Sequence, residues 1–284
     1  MNIKIVMITS FTIITALLGL FGCKPSSNTK EICNNNPEIC ADLHEDSWCI
    51  FEKDDLIRSR EQITHSIKPS GKQLFELLLQ LEGYNKCIEL AAGVKHIIHT
   101  ERSNDRARAY GLSSQSLTQL QENTKNSLDP HLAYYHWSRF NDHQSAMVLF
   151  AAERNGQVDD VRIKAQIAIH FLKSNSLKSK RLFAEAFAES NTTTFDPDWL
   201  LALAKLYAYE DRPEMNYLLS KTNIIMTQAK FAENQMLALL KGDKAQQQKL
   251  DKKAKVLADE LRSGKYLESQ LRIVLEQDLK QRKN

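Results

Sequence analysis

Apolar side chains in this chain recur at i, i+3, i+4 and i+7, the spacing of one helix face, and no stretch alternates as a half-buried strand would. Leu74, Leu77, Leu78, Leu79 and Leu81, followed by Ile88, Leu90 and Val94, predict consecutive helices between Pro69 and His99. Only nine glycines and six prolines occur in 284 residues, too few for the many positive-φ turns of a β-sandwich or for Gly-rich phosphate loops. The expected fold class is all-α. Apolar residues make up 42% and charged residues 26%, an ordinary globular balance.

The helices have a period. Asp129-Pro130 places a good N-cap before a proline suited to the first helical position, and Asp196-Pro197 repeats the pair 67 residues later. Half that distance predicts a third opening between them, and Val158-Asp159-Asp160-Val161 supplies it. The pairs are then Leu132 to Phe140 with Ser145 to Glu153, Val161 to Leu172 with Leu177 to Glu189, and Trp199 to Tyr209 with Pro213 to Met226. Two helices per ~34 residues resemble tetratricopeptide or related Sel1-type repeats. Trp199, Leu203 and Tyr207 match the spacing of that repeat's first helix, and Ala184, Phe187 and Ala188 resemble its second. The repeat's Leu-Gly pair and closing proline are absent. Stacked αα-hairpins of tetratricopeptide type are therefore expected over residues 126–240, preceded by a helical, disulfide-stapled region over 31–125.

The N-terminus reads as an address. A basic start, Met1 to Lys4, precedes an apolar run from Ile5 to Leu20, which is short for a membrane span and suits a signal-peptide core. Leu20-Phe21-Gly22-Cys23 resembles the lipobox of bacterial lipoproteins, which implies cleavage of residues 1–22 and lipidation of Cys23. Lys24, rather than aspartate, follows the cysteine, so the expected location is the periplasmic face of the outer membrane. Residues 23–30 then form a lipidated, polar tether.

Setting Cys23 aside leaves Cys33, Cys40, Cys49 and Cys87, an even number for an oxidising compartment. Two disulfides are expected, one local among the first three and one reaching Cys87; three pairings are open. The spacings of Cys33, Cys40, His44 and Cys49 match no common zinc pattern. At the other end, residues 241–284 hold 12 Lys or Arg against 7 Asp or Glu. Their leucines form two apolar stripes broken at Ser263-Gly264-Lys265, as in a closing basic, amphipathic helical pair.

No Gly-x-Ser-x-Gly elbow, His-Glu-x-x-His motif, phosphate loop or dinucleotide fingerprint occurs, so no enzyme activity, cofactor or bound metal is expected. Two weaker constellations stand out. His96 and His99, three apart with Glu101 nearby, would be the site if the chain were instead an envelope enzyme or glycan-binding module; the acidic run Asp42, Glu45, Asp46 would accompany them. In the first repeat, Trp137 and Phe140 read as core, leaving Tyr134 or Tyr135 to line a partner groove.

The lipobox together with Glu31-Ile32-Cys33, Pro37-Glu38-Ile39-Cys40, Asp42-Leu43-His44, Trp48-Cys49 and Leu56-Ile57-Arg58 is similar to a family of uncharacterised lipoproteins of Gram-negative bacteria. The resemblance implies a lipid-anchored envelope protein and no particular activity. The expected role is a non-enzymatic helical scaffold for envelope proteins or peptides, held to the membrane through its lipid, with no nucleic-acid partner.

Overall fold

The structure is a computed structural model and describes residues 28–95, 97–230 and 233–281. The leader, Cys23 and His96 lie outside the described residues. Among the described residues every regular element is helical, as the periodicity predicts, and no helix is long and apolar enough to cross a membrane. Packing divides the chain into two units, the first from residues 28–67 and 83–113, the second from 68–82 and 114–281. Helices α3 (Gly71–Ala92) and α4 (Thr100–Thr124) each contribute residues to both.

In the first unit, α1 (Thr29–Asn35) starts at Asn28, whose side chain accepts from the Lys30 N–H. A 3-10 turn, Pro37–Ile39, and a loop lead to α2 (Ile50–Thr64). Two disulfides resolve the open pairing: Cys33–Cys40 closes a short loop, and Cys49–Cys87 joins the start of α2 to α3. Ile32, Ile39, Leu43, Leu56, Ile57, Tyr84 and Ile88 are buried.

The charged stretch 100–108 is the start of 25-residue α4, because Arg106 and Ala109 turn inward and give that helix a buried face. The helix expected to run on to His99 is shorter: α3 stops at Ala92, and the described residues between it and α4 are not helical. Ile97 and Ile98 are exposed there, with no packing partner to extend the helix.

The second unit is built from the expected pairs. They are α5 (Pro130–Phe140) with α6 (His143–Arg154), α7 (Val161–His170) with α8 (Ser176–Glu189), and α9 (Asp198–Tyr209) with α10 (Pro213–Thr227). Each first helix opens on an aspartate that accepts from the amide two residues on: Asp129 from His131, Asp160 from Arg162 and Asp196 from Asp198. This satisfies amide donors that the helix itself leaves unpaired. One apolar core, including Leu149, Ile163, Ile167, Phe183, Phe187, Leu200, Leu203 and Leu206, runs through all three pairs. Trp137, Phe150, His170 and Phe171 join the first pair to the second, with ring centroids 5.1–5.4 Å apart. Phe140, expected in the core with Trp137, is 54% exposed because it sits on the last turn before the Asn141 cap. On α8, Ala186 is buried, whereas Ala188 is exposed.

The tail closes this unit. Beyond α11 (Glu233–Leu239), α12 (Lys244–Arg262) packs on α10, and α13 (Gln270–Gln281) packs on α8. The break falls where expected, with Gly264 in the left-handed region at φ 69°. Leu250, Leu257, Leu261, Leu271 and Leu275 point inward; Leu267 is exposed, and Tyr266 fills the core instead.

Candidate functional site

A wide concavity in the second unit lies at the openings of the helical pairs. Its floor is formed by Tyr134 on α5, Asp159 and Asp160 before α7, Arg162 on α7, and Asp196 and Trp199 around the start of α9. The turn from Asn191 to Phe195 and Lys72 at the start of α3 form its walls, enclosing about 810 Å³. The sequence puts these groups together because an aspartate at the opening of each first helix accepts from one of its opening amides, so stacking the pairs gathers the aspartates. The turn is self-supporting: Asn191 Oδ1 accepts from the Thr193 and Thr194 amides at 2.9 and 3.0 Å.

The electrostatics are mixed, with an acidic bias. Asp160 is buried, which raises its pKa, but hydrogen bonds from the Arg162 side chain and amide outweigh burial and hold the carboxyl below its ordinary range. Arg162 is raised in turn, chiefly by its hydrogen bonds to Asp160, and it also reaches Glu76 at 3.2 Å. Glu189 is engaged by Lys164 at 2.5 Å. Asp159 is largely exposed and stands 3.3 Å from His131 Nε2, while Asp196 faces solvent. Burial pushes the Tyr134 hydroxyl up. The cleft thus offers carboxylates to accept N–H groups and a tyrosine ring for apolar contact.

The sequence singled out Tyr134 and Tyr135, and the structure separates them. Tyr134 lines the cleft, but Tyr135 is only 1% exposed and lines no groove. Its hydroxyl donates to Glu82 Oε1 at 2.7 Å and accepts from Gln121 Nε2 at 2.9 Å. Successive helical residues point about 100° apart, so one of two adjacent tyrosines must turn inward. Lys72 and the 191–195 turn carried no sequence signal; the recurring Asp before each first helix was the signal for the rest.

In the first unit, His99 is exposed and its Nδ1 lies 3.1 Å from Glu101. Glu101 shares an open acidic depression with Glu45, Asp46, Arg102 and Asp105. Most of that charge is already engaged: Asp46 accepts from Arg106 Nε at 2.8 Å, and Asp105 accepts from the Glu45 amide and from Arg108 at 2.8 Å each. Asp42, the remaining acidic residue, forms a two-pronged pair with Arg60 at 2.6 and 2.7 Å. His44 is buried between Tyr84 Oη at 2.9 Å and the Trp48 carbonyl at 2.6 Å. The one three-ligand cluster among the described residues, Cys49, Glu52 and Cys87, contains two sulfurs already bonded to each other.

Fold and site together define an all-helical protein with a disulfide-stapled first unit and a cleft across paired helices. A family model described as "Protein of unknown function (DUF2989)" matches residues 20–221, and the chain belongs to that family. No curated protein and no solved structure matches the chain.

Proposed function

We propose that the chain is a lipid-anchored, non-enzymatic scaffold on the periplasmic side of the outer membrane. Cys23 carries the acyl chains, and tetratricopeptide-type helical pairs hold extended segments of envelope proteins. The observation that carries this reading is the cleft at the repeat openings, where Tyr134, Asp159 and Asp196 come together from three separate first helices or their caps. Concave surfaces on stacked helical pairs are the surfaces such arrays use for binding, which makes the step an argument from architecture. The acidic bias favours basic peptide segments, whose ammonium or guanidinium groups would pair with Asp159 and Asp196. The Leu20-Phe21-Gly22-Cys23 sequence supports the anchor.

The test has two arms. Cys23→Ala should abolish acylation and release the protein from membranes. A photoreactive residue at Gln166, in the cleft wall, should crosslink a specific envelope protein. That product should fall severalfold when Asp159→Lys and Asp196→Lys are introduced. A crosslink unaffected by both charge reversals would sink the cleft as the partner site.

A further inference from the structure

The first unit exposes apolar side chains that its own core does not use. Phe51 is 80% exposed and Leu90 70%, with Trp48, Ile50 and Val94 also open to solvent. Scattered exposed apolar residues are ordinary, but a cluster marks a contact surface. Here covalent and polar links hold the residues together. The Cys49–Cys87 bridge joins the segment 48–51 to α3, and Leu90 follows Cys87 by one turn. The Arg106 guanidinium sits 4.6 Å from the centre of the Trp48 ring and donates to the Ala91 carbonyl at 3.4 Å, which holds the indole toward the end of α3.

The chain enters the fold beside this patch. Thr29, at the start of α1, donates to Asp54 Oδ1 at 2.8 Å. Asp54 is three residues after Phe51 and four after Ile50, so the three are neighbours on the α2 surface. Cys23 precedes Asn28 by five residues, a span of at most ~18 Å when fully extended. An acylated Cys23 therefore keeps the Ile50–Phe51 corner close to the bilayer.

We propose that Trp48, Ile50, Phe51, Leu90 and Val94 form a seat that rests in the headgroup–acyl boundary of the phospholipid leaflet carrying the anchor. The inference rests on the lipid-anchored reading above and adds a second, protein-borne contact to it. Aromatic rings suit this depth because their apolar body and polar edge match the two sides of the boundary. The seat would fix the orientation of the first unit on the membrane, which flexible acyl chains alone do not.

The full acylated protein, purified from membranes, is reconstituted into phosphatidylethanolamine–phosphatidylglycerol vesicles with brominated acyl chains. Quenching of tryptophan emission is then read. The expected result is clear quenching that falls severalfold in Trp48→Phe, since Trp199 is buried and Trp137 packs against the core of the second unit. The double variant Ile50→Ser, Phe51→Ser should at least halve the quenching while leaving the protein in the vesicle fraction. An acylated protein whose emission is unquenched, or whose quenching is unchanged in Trp48→Phe, overturns the seat alone. Absence of acyl mass on the Cys23 peptide overturns the anchor and the seat together. Capture of a protein, in place of lipid, by benzoylphenylalanine substituted for Phe51 overturns the seat in favour of a protein contact.

Discussion

Lys180 and Asp278, 98 residues apart in sequence, meet at 2.8 Å in the interior of the second unit. Asp278 also accepts from Tyr207 Oη at 2.8 Å and Arg212 at 2.7 Å, and Lys180 pairs with Glu210 at 2.6 Å. The last helix is thereby tied to α8, α9 and the start of α10. Removing one member of a buried pair leaves the other charge uncompensated, which costs about 3–5 kcal/mol. Asp278→Ala should therefore lower stability by that order in urea unfolding and expose α13 first in hydrogen exchange.

The same carboxylate sets an acid limit. Burial raises the Asp278 pKa, but hydrogen bonds from Lys180, Arg212 and Tyr207 more than offset this and leave it lowered. A carboxyl lowered in the folded state contributes stability above its unfolded value, near pH 4, and loses it as pH falls through the folded value. Stability should therefore decline below about pH 4, and Asp278→Asn should flatten that decline.

His44 gives the first unit a pH response of its own. Burial, aided by Lys53, holds its pKa below the ordinary imidazole value against the pull of the Trp48 carbonyl and nearby carboxylates. The neutral ring donates from Nε2 to that carbonyl and accepts from Tyr84, whose hydroxyl burial pushes to about 12. The unfolded chain binds the extra proton more readily, so this contribution is complete above ~pH 6.5 and is lost as pH falls through the folded value. Amide protection factors across residues 40–49, which correct for the slower intrinsic exchange at lower pH, should fall between pH 7.5 and 5.5. His44→Ala should exchange fast at both values.

The two disulfides should differ in worth. Cys49–Cys87 spans 38 residues and Cys33–Cys40 spans 7. Loop-closure entropy then gives about 4 and about 2.4 kcal/mol respectively. Removing the first pair as a double Ser variant should lower the urea midpoint of the first unit more than removing the second.

Helical pairing was legible because its signals are local. Asp129 before Pro130 and Asp160 before Val161 each cap a helix where the chain says it starts, and Asp196 before Pro197 accepts from the first amide of the third, whose cap position is Pro197 itself. What stayed hidden depended on partners distant in sequence. The charged run 100–108 hides its helical role because Arg106 is buried against Asp46, 60 residues earlier. The pairing of four cysteines likewise needs the approach of α3 to α2. The cleft was half legible: its aspartates were visible as caps, whereas Lys72 and the Asn191 turn reach it only through tertiary packing.

Gly71 shows how tightly a cap can be set. A Cβ built there would lie 2.0 Å from Asp129 Cγ, an impossible contact. Asp129 accepts from the His131 and Leu132 amides and so starts α5. Alanine is otherwise the better helix former, so Gly71→Ala should act against propensity by displacing the cap, at about 1 kcal/mol. On an Asp129→Ala background the same change should be neutral or stabilising, a coupling that a thermal double-mutant cycle would read. Additive effects would mean that the Asp129 side chain swings aside without loss.

Adjacent tyrosines offer the sharpest contrast between folding and binding. Tyr135 is enclosed, and its hydroxyl serves both Glu82 and Gln121. Tyr135→Phe removes the hydroxyl that half-buried Glu82 and Gln121 share and should cost about 1 kcal/mol while leaving peptide capture unchanged. Tyr134 lines the cleft, with its ring edge-on to Phe75 and Trp137 at 6.0 and 6.2 Å. Tyr134→Phe keeps those ring contacts and should leave the melting temperature nearly unchanged. Tyr134→Ala removes the apolar surface a bound peptide would meet, and should reduce crosslinking from Gln166 severalfold. If Tyr135→Phe instead abolished capture at unchanged stability, the partner would have to bind the α3–α5 side of the unit and not the cleft.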